Sequence, residues 1–291
     1  MSLDSMADIL HCMEQEGKEF WEVVLAADME ERQVSRESSL AKMLTTWQAM
    51  VDASDSYTGD RRSVSGLVGG DGLKMRQYAI RGKAMSGGYV SEVIAEALSM
   101  AESNACMRRI VAAPTAGACG VLPAVLLPLC KYEELNQRQI LEALYVASGI
   151  GAVIAYRACI AGAAGGCQAE IGTASAMAAG ALVALRGGSG QQICHAVAMA
   201  LKNLLGLICD PVAGLVEVPC VKRNVVGSVN AVSCADMALA GVGSRIPVDE
   251  VIDCMGEVGR RMPMEMRETA LGGLAATPTG KAVKERMEQQ D

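Results

Sequence analysis

The middle of the chain is a long stretch with very few charged side chains. Between Leu141 and Cys220 only seven side chains are formally charged: Glu142, Arg157, Glu170, Arg186, Lys202, Asp210 and Glu217. Charged side chains are rarely buried unless they are paired, so a stretch this poor in charge must lie mostly inside the protein. We therefore expect residues 141–220 to form the core of this chain of 291 residues.

A membrane span is the alternative explanation for the same stretch. The best candidate, 141–164, is built from Ala, Gly and Val, and Arg157 interrupts it. A transmembrane helix needs about 20 predominantly apolar residues, so we expect no membrane span. Residues 1–17 carry acids where an export signal has a basic and then an apolar segment. We expect a cytoplasmic protein.

The formal charge of −7 is concentrated at the N-terminus. Residues 1–62 carry 13 acids and 6 bases, whereas residues 63–291 carry 20 of each. A nucleic-acid binder that relies on a positive surface is therefore excluded. We predict one domain over residues 1–291, in which acidic amphipathic helices of residues 1–62 pack on a core formed by residues 63–291.

Apolar residues recur at helical spacing through most of the chain. We predict two or three helices in residues 1–56 and further helices, Ala-rich in the later segments, at 88–104, 121–130, 141–155, 173–185, 191–207, 224–240 and 249–258. Asp249 is predicted to cap the last of these or to lie in its first turn. No run alternates with the period of a strand. The prediction is an all-α fold, a compact bundle of Ala/Gly-rich, closely packed helices around a buried central hairpin-like core.

Eleven cysteines in a chain without an export signal indicate reduced thiols rather than disulfides. Most of them fall within apolar helical patterns, where a cysteine usually packs as a small hydrophobe. Three cysteines differ because each lies at a helix break: Cys167 follows Gly166, Cys209 precedes Asp210-Pro211, and Cys220 follows Pro219. Cys119 shares this character more weakly. Thiols at such breaks can converge on one point.

The spacing of these three cysteines leaves three interpretations open. Zinc sites usually show short Cys-x-x-Cys pairs, which are missing here. An iron–sulfur cluster tolerates scattered ligands, because the fold brings them together, and three cysteines would leave one iron open to substrate. The cysteines could also be purely structural.

Several motifs make the chain resemble the α chain of iron–sulfur-dependent L-serine dehydratases. They are Ser65-Gly-Leu-Val-Gly-Gly-Asp71, Val111-Ala-Ala-Pro-Thr-Ala-Gly117, Gly165-Gly-Cys-Gln-Ala-Glu-Ile-Gly172, the long block from Lys202 to Asn224, and Arg267-Glu-Thr-Ala-Leu-Gly-Gly273 with the residues up to Gly280. These motifs are spread along the sequence, so the resemblance extends over nearly the whole chain.

The resemblance implies a [4Fe–4S] cluster held by Cys167, Cys209 and Cys220, without pyridoxal phosphate. It implies dehydration of L-serine to pyruvate and ammonia, in amino-acid catabolism and gluconeogenesis, with the open iron acting as a Lewis acid on the β-hydroxyl. It also implies a hetero-oligomer, because the family pairs this helical part with a β chain or domain carrying a Ser-Ser-Ser-His-Thr-type motif. No such motif occurs in this sequence.

The sequence departs from the family pattern at four positions. Arg108 and Arg157 add guanidinium groups, and Ala118 and Cys159 stand where the family usually has serine. Arginine suits a second carboxylate, so one alternative is a related dehydratase of another β-hydroxy acid, such as a dicarboxylic one. Another is a non-catalytic helical partner subunit whose cysteines only fill the core.

The remaining site residues are less clearly marked. The general base is not identified by any motif, and it could lie on the other chain; His195, Lys202 and Lys222 are weak candidates. The candidate substrate-binding residues are Thr115, Arg108, Arg157 and Asn224. Gln168 and Glu170, next to the first cysteine, could bond to its sulfur, to substrate or to the following helix.

Overall fold

The computed structural model describes residues 3–289, and this part of the chain folds into helices joined by short turns. They are α1 (Met6–Glu16), α2 (Phe20–Arg32), α3 (Arg36–Asp55), α4 (Asp71–Ile80), α5 (Gly87–Ala105), α6 (Val121–Glu133), α7 (Gln137–Arg157), α8 (Gly162–Gly165), α9 (Thr173–Leu185), α10 (Gly190–Lys202), α11 (Cys220–Leu239), α12 (Val248–Arg261) and α13 (Pro278–Glu288). An isolated bridge between Cys209 and Arg267 is the one strand-like pairing among the described residues. The all-α prediction is confirmed.

The centre of the bundle is a hairpin made by α9 and α10. Eleven of the 13 residues of α9 are buried, and no charged residue lies within it. Its small side chains let neighbours approach closely: a Cβ on Gly180 would lie 2.2 Å from Cδ1 of Ile150 on α7. Helices α7 and α11 pack against α9, so the charge-poor stretch forms the core, as predicted.

The acidic N-terminal helices pack on this core through apolar and polar contacts. Phe20 and Val24 of α2 are buried against Gly149 of α7. Asp249, in the first turn of α12 as predicted, accepts hydrogen bonds from the backbone N–H groups of Met6 (2.9 Å) and Ala7 (3.1 Å) at the start of α1. These contacts support the single-domain organisation, which stays a prediction.

Some helices differ from the sequence predictions. Helix α10 ends at Lys202 rather than Leu207, because Gly206 adopts a left-handed conformation and its N–H bonds to the side chain of Gln168. Helices α4 and α13 were not predicted. Helix α4 is capped by Glu102, whose carboxylate accepts the N–H of Asp71 at 2.8 Å from a distant part of the sequence.

One helix in residues 3–289, Gln137–Arg157, is long and apolar enough to cross a membrane. Sixty-seven per cent of its apolar window is buried inside the protein. A buried core helix meets the same criteria of length and composition, and the position of α7 against α9 explains its apolar character.

Candidate functional site

Cys167 lies where the short helix α8 ends and a π-helical turn, Gln168–Gly172, begins. Such irregular turns are frequent at functional sites because they redirect side chains. Gln168 fixes this turn: its backbone N–H donates to Leu207 O (2.9 Å), and its side chain binds the backbone of Gly206 and Met255. Gln168 therefore joins the segment of Cys167 to the segment that leads to Cys209, and these bonds go to backbone groups rather than to a cysteine sulfur.

Cys209 is held by the C-terminal part of the chain. Its N–H donates to Met266 O, and its carbonyl accepts the N–H of Glu268, both at 2.8 Å. These two bonds form the bridge to Arg267. They fix the Cys209 backbone outside any helix, as the helix break at this position suggested.

Cys220 is the first residue of α11, and Asn224 ties it to the turn before α6. The Asn224 side-chain amide donates to Cys220 O (3.0 Å) and Gly117 O (2.8 Å), and its oxygen accepts the N–H of Gly120 (2.9 Å). Asn224 is 1% exposed. Its polar groups are thus engaged by backbone, which makes it a residue that positions the site.

The three segments bring the cysteines close together in the interior. The sulfurs of Cys167 and Cys209 and a carboxylate oxygen of Glu170 all lie within 4.8 Å of one another. Cys220 lies outside this tight group but within electrostatic range of both other thiols. All three cysteines are buried.

The two closest cysteines interact strongly. The neighbouring Cys209 thiol lowers the pKa of the Cys167 thiol despite its burial, and the Arg223 guanidinium lowers it further. The same contact raises the pKa of Cys209. Burial is the main reason that the pKa of Cys220 is raised to about 12. A bound cation would be needed to deprotonate all three thiols at neutral pH.

Glu170 places a carboxylate oxygen within 4.8 Å of two of the thiols. Burial raises its pKa, and the facing carboxylate of Glu268 raises it further. The nearby Thr115 hydroxyl lowers the pKa of Glu170 and so opposes this shift. The geometry of this contact falls short of a full hydrogen bond, and the Thr115 oxygen is buried without a hydrogen-bond partner among the described residues. Thr115 and Glu170 therefore share one side of the site.

The three candidate bases make other contacts. His195 Nδ1 accepts the N–H of Ser244 (3.3 Å), and Lys202 Nζ donates to Ser244 Oγ (2.8 Å). The charge of Lys202 also acts electrostatically on the Cys234 thiol. At the usual helical rise, Cys234 lies roughly 20 Å along α11 from Cys220, so Lys202 is far from the three site cysteines. Lys222 pairs with Asp71 at 3.4 Å. The assignment of each residue as the general base stays a prediction, and these contacts do not support it.

The two additional arginines also make contacts away from the cysteines. Arg157 forms a two-pronged pair with Asp253 on α12, at 3.0 and 2.6 Å. Arg108 donates to Thr58 at 3.5 Å in the segment between α3 and α4. Their assignment to substrate binding therefore stays a prediction, and the geometry of the thiol site lends it no support.

Cys119 and Glu268 complete the comparison with the sequence. The Cys119 thiol donates to Met100 O (3.8 Å), and burial raises its pKa to about 12, as for a packing cysteine. Glu268 was not predicted as a site residue. In the sequence, Glu268 is marked only by its place in the motif that starts at Arg267. Its position at the site depends on the bridge between Arg267 and Cys209, which joins distant parts of the chain.

The fold and the site together define an all-helical protein with a buried, convergent thiol centre. The family model for the serine dehydratase alpha chain matches residues 15–275. The chain therefore belongs to the serine dehydratase alpha chain family.

Two similar alpha chains match this chain over nearly its whole length, and a longer relative matches part of it. It is 46% identical over 266 residues to a probable L-serine dehydratase, alpha chain, of Bacillus subtilis, covering 91% of this chain and 89% of that protein. It is 40% identical over 283 residues to the L-serine dehydratase, alpha chain, of Peptoniphilus asaccharolyticus, covering 97% of both. With L-serine dehydratase 1 of Escherichia coli the match is 46% over 181 residues, 62% of this chain and 40% of that protein.

Proposed function

We propose that this chain is the cluster-carrying subunit of an enzyme that dehydrates L-serine to pyruvate and ammonia. The observation that carries the proposal is the convergence of Cys167, Cys209 and Cys220 from three separate segments of a buried site. The names of the relatives, L-serine dehydratase alpha chains, support the substrate and the reaction.

The donor set fits an iron–sulfur cluster. Cysteine thiolates are the usual cluster ligands, and three of them leave one iron without a protein ligand. When bound, the cluster would supply an open iron that acts as a Lewis acid on the substrate β-hydroxyl. This chemistry needs no pyridoxal phosphate.

The residues around the thiols preorganise this site. Arg223, which lowers the pKa of Cys167, is held by Asp210 at 2.9 Å and by Ile208 O at 2.8 Å. Gln168 and Asn224 hold the backbone next to Cys167 and Cys220. A site whose ligands are fixed in this way loses little free energy to reorganisation when the cofactor binds.

We propose that the working enzyme is a hetero-oligomer with a β chain in the cytoplasm. The term alpha chain in the names of the relatives supports a partner, and the longer Escherichia coli relatives contain a further region beyond the part that this chain matches. The proton-abstracting base would then lie on either chain.

The test is anaerobic production of the chain together with its β chain, followed by iron and sulfide analysis and an assay of pyruvate formation from L-serine. We expect about four irons per α chain and turnover. Cys167→Ser, Cys209→Ser and Cys220→Ser should each reduce both, whereas Cys254→Ser, at an exposed cysteine on α12, should reduce neither.

Two results would contradict the proposal. Absence of iron after careful reconstitution would favour a non-catalytic helical partner. Iron binding with turnover of a different β-hydroxy acid but not of L-serine would favour the related dehydratase.

A further inference from the structure

A cavity of about 310 Å³ lies between α4, α5 and α6. Its volume falls at the lower end of the range for small-molecule pockets, about 300–1,000 Å³. None of the residues described at the thiol site lines it. Its polar lining comes from all three helices: Arg76 on α4, Ser91, Glu92 and Glu96 on α5, and Lys131 and Tyr132 on α6.

Glu96 brings a buried and only half-satisfied carboxylate to this cavity. The residue is 6% exposed, and its Oε2 accepts a hydrogen bond from Arg76 Nη2 at 2.7 Å. Its Oε1 is also buried, but it accepts no hydrogen bond from any residue between 3 and 289. Burial removes the hydration of this oxygen without compensation, which is costly for a charged group. A donor from outside the chain would supply the missing bond.

A second acid of the cavity lies one helical turn away on the same face of α5. Glu92 and Glu96 are four residues apart, so their side chains are neighbours. Glu92 Oε1 accepts the Tyr132 hydroxyl at 3.3 Å, and the Tyr132 ring packs edge-on against Tyr89 with 5.8 Å between the ring centroids. The two carboxylates therefore offer acceptors on one side of the cavity.

Two cations of the cavity come from the flanking helices. The Arg76 guanidinium has five N–H donors, and the bond to Glu96 uses one of them. The same guanidinium lies over the ring of Tyr57, with 5.6 Å between Cζ and the ring centroid, which fixes its plane. A planar guanidinium held in this way suits a carboxylate ligand. Lys131 adds an exposed ammonium group on α6.

We infer that this cavity binds a small α-amino acid as a zwitterion. The ligand ammonium group donates to Glu96 and Glu92, and its carboxylate accepts from Arg76 and Lys131. The terminal torsion of a glutamate is broad, so a small rotation brings Glu96 Oε1 to the cavity wall. A short aliphatic side chain would pack on the apolar lining: Ala79, Ala95 and Pro128. This site is separate from the thiol site and goes beyond the proposed function.

The experiment compares three ligands by isothermal titration calorimetry on the full chain. L-Alanine carries both charged groups but no β-hydroxyl, so it cannot be dehydrated. Propanoate lacks the ammonium group, and ethylamine lacks the carboxylate. We expect L-alanine to bind at one site per chain, and the other two to bind at least about tenfold more weakly because each loses one set of charge-assisted hydrogen bonds.

Two substitutions in the cavity should weaken L-alanine binding by about tenfold or more. Glu96→Gln removes the charge that faces the ammonium group. Ala79→Leu keeps all four charges and fills the cavity, so it decides the question alone if Glu96→Gln does not fold. The control is Glu257→Gln, which breaks an exposed glutamate–arginine pair on α12 and should leave the affinity within about twofold.

Cys167→Ser tests whether the ligand occupies the thiol site instead, and it should also leave L-alanine binding unchanged. A loss of binding in Cys167→Ser but not in Ala79→Leu would overturn the inference. Equal affinities for the three ligands, or no heat with L-alanine, would overturn it as well, since water would then satisfy Glu96. A chain without iron or serine turnover defeats the proposed function but leaves this test unaffected.

Discussion

Arg223 and Asp210 form a buried ion pair next to Cys209, with 2.9 Å between Arg223 Nη2 and Asp210 Oδ1. The other Asp210 oxygen accepts the N–H of Leu274 at 2.8 Å, and Arg223 Nη1 donates to Ile208 O. The pair therefore connects three parts of the chain: the start of α11, the segment that carries Cys209, and the turn before α13.

Asp210→Asn should destabilise the protein by about 3 kcal/mol, because removal of one partner leaves the other charge buried without compensation. Asp210 is 3% exposed, so water cannot replace it. Urea unfolding measures the change. The control is Glu257→Gln, which breaks the exposed pair with Arg261 and should cost less than about 0.5 kcal/mol. Equal effects of the two substitutions would refute the structural role of the buried pair.

Asn224→Asp should lower the free energy of unfolding by about 2–4 kcal/mol. The substitution keeps the shape of the side chain but removes both N–H donors, so the carbonyls of Gly117 and Cys220 would face a carboxylate oxygen. Thermal or urea unfolding would measure the loss. Gln48→Ala, at an exposed site on α3, should stay within about 0.5 kcal/mol. A stable Asn224→Asp variant would show that Asn224 does not hold this turn.

Asp71→Asn should lower stability in a pH-dependent way. The hydrogen bond from Lys74, with help from Lys222, lowers the pKa of the Asp71 carboxyl below its usual 3.8. A lowered pKa gives stability above 3.8 that is lost as the pH falls through the folded value. We expect a loss of about 0.5–1 kcal/mol at pH 7 for this partly exposed group, which shrinks as the pH falls below 3.8.

Urea unfolding of wild type and Asp71→Asn between pH 7 and pH 3 checks this expectation. Lys74→Gln should reproduce part of the loss at pH 7. A difference that stays constant over the whole range would show that the ion pairs of Asp71 are not its cause.

Gly180→Ala should destabilise the core by about 1–3 kcal/mol, since the new methyl group would lie 2.2 Å from Ile150 Cδ1. Ile150→Val removes that atom and should by itself cost about 1 kcal/mol. The double variant should lose less than the sum of the two single variants. Additive losses in this double-mutant cycle would mean that α7 and α9 are not in the contact described.

The sequence predicts the long helices well because their apolar periodicity reports directly on burial. The limits of α9, Thr173 and Leu185, agree with the prediction. Helix α4 has no comparable signal, since its N-terminal N–H groups are capped by Glu102 on another helix. Helix α13 does begin at a recognisable signal, Thr277 followed by Pro278, but its many charged residues favour a solvated tail.

The thiol site is predictable in part. Nearby glycine and proline residues mark the helix breaks at Cys167, Cys209 and Cys220. The sequence therefore shows that these three cysteines, unlike most of the others, lie at breaks between helices. The contacts of charged residues cannot be read in this way. Arg157 finds its carboxylate partner on α12, 96 residues away, and Glu268 reaches Glu170 through a bridge that no local pattern encodes.

The bridge between Cys209 and Arg267 has a consequence for synthesis on the ribosome. A nascent chain that has emerged as far as Cys220 already contains all three thiols. It still lacks Met266 and Glu268, whose backbone groups hold Cys209 in place. The geometry of the centre is therefore completed only after residue 268 has left the ribosome, so the site is not preorganised for an inorganic cofactor before that point.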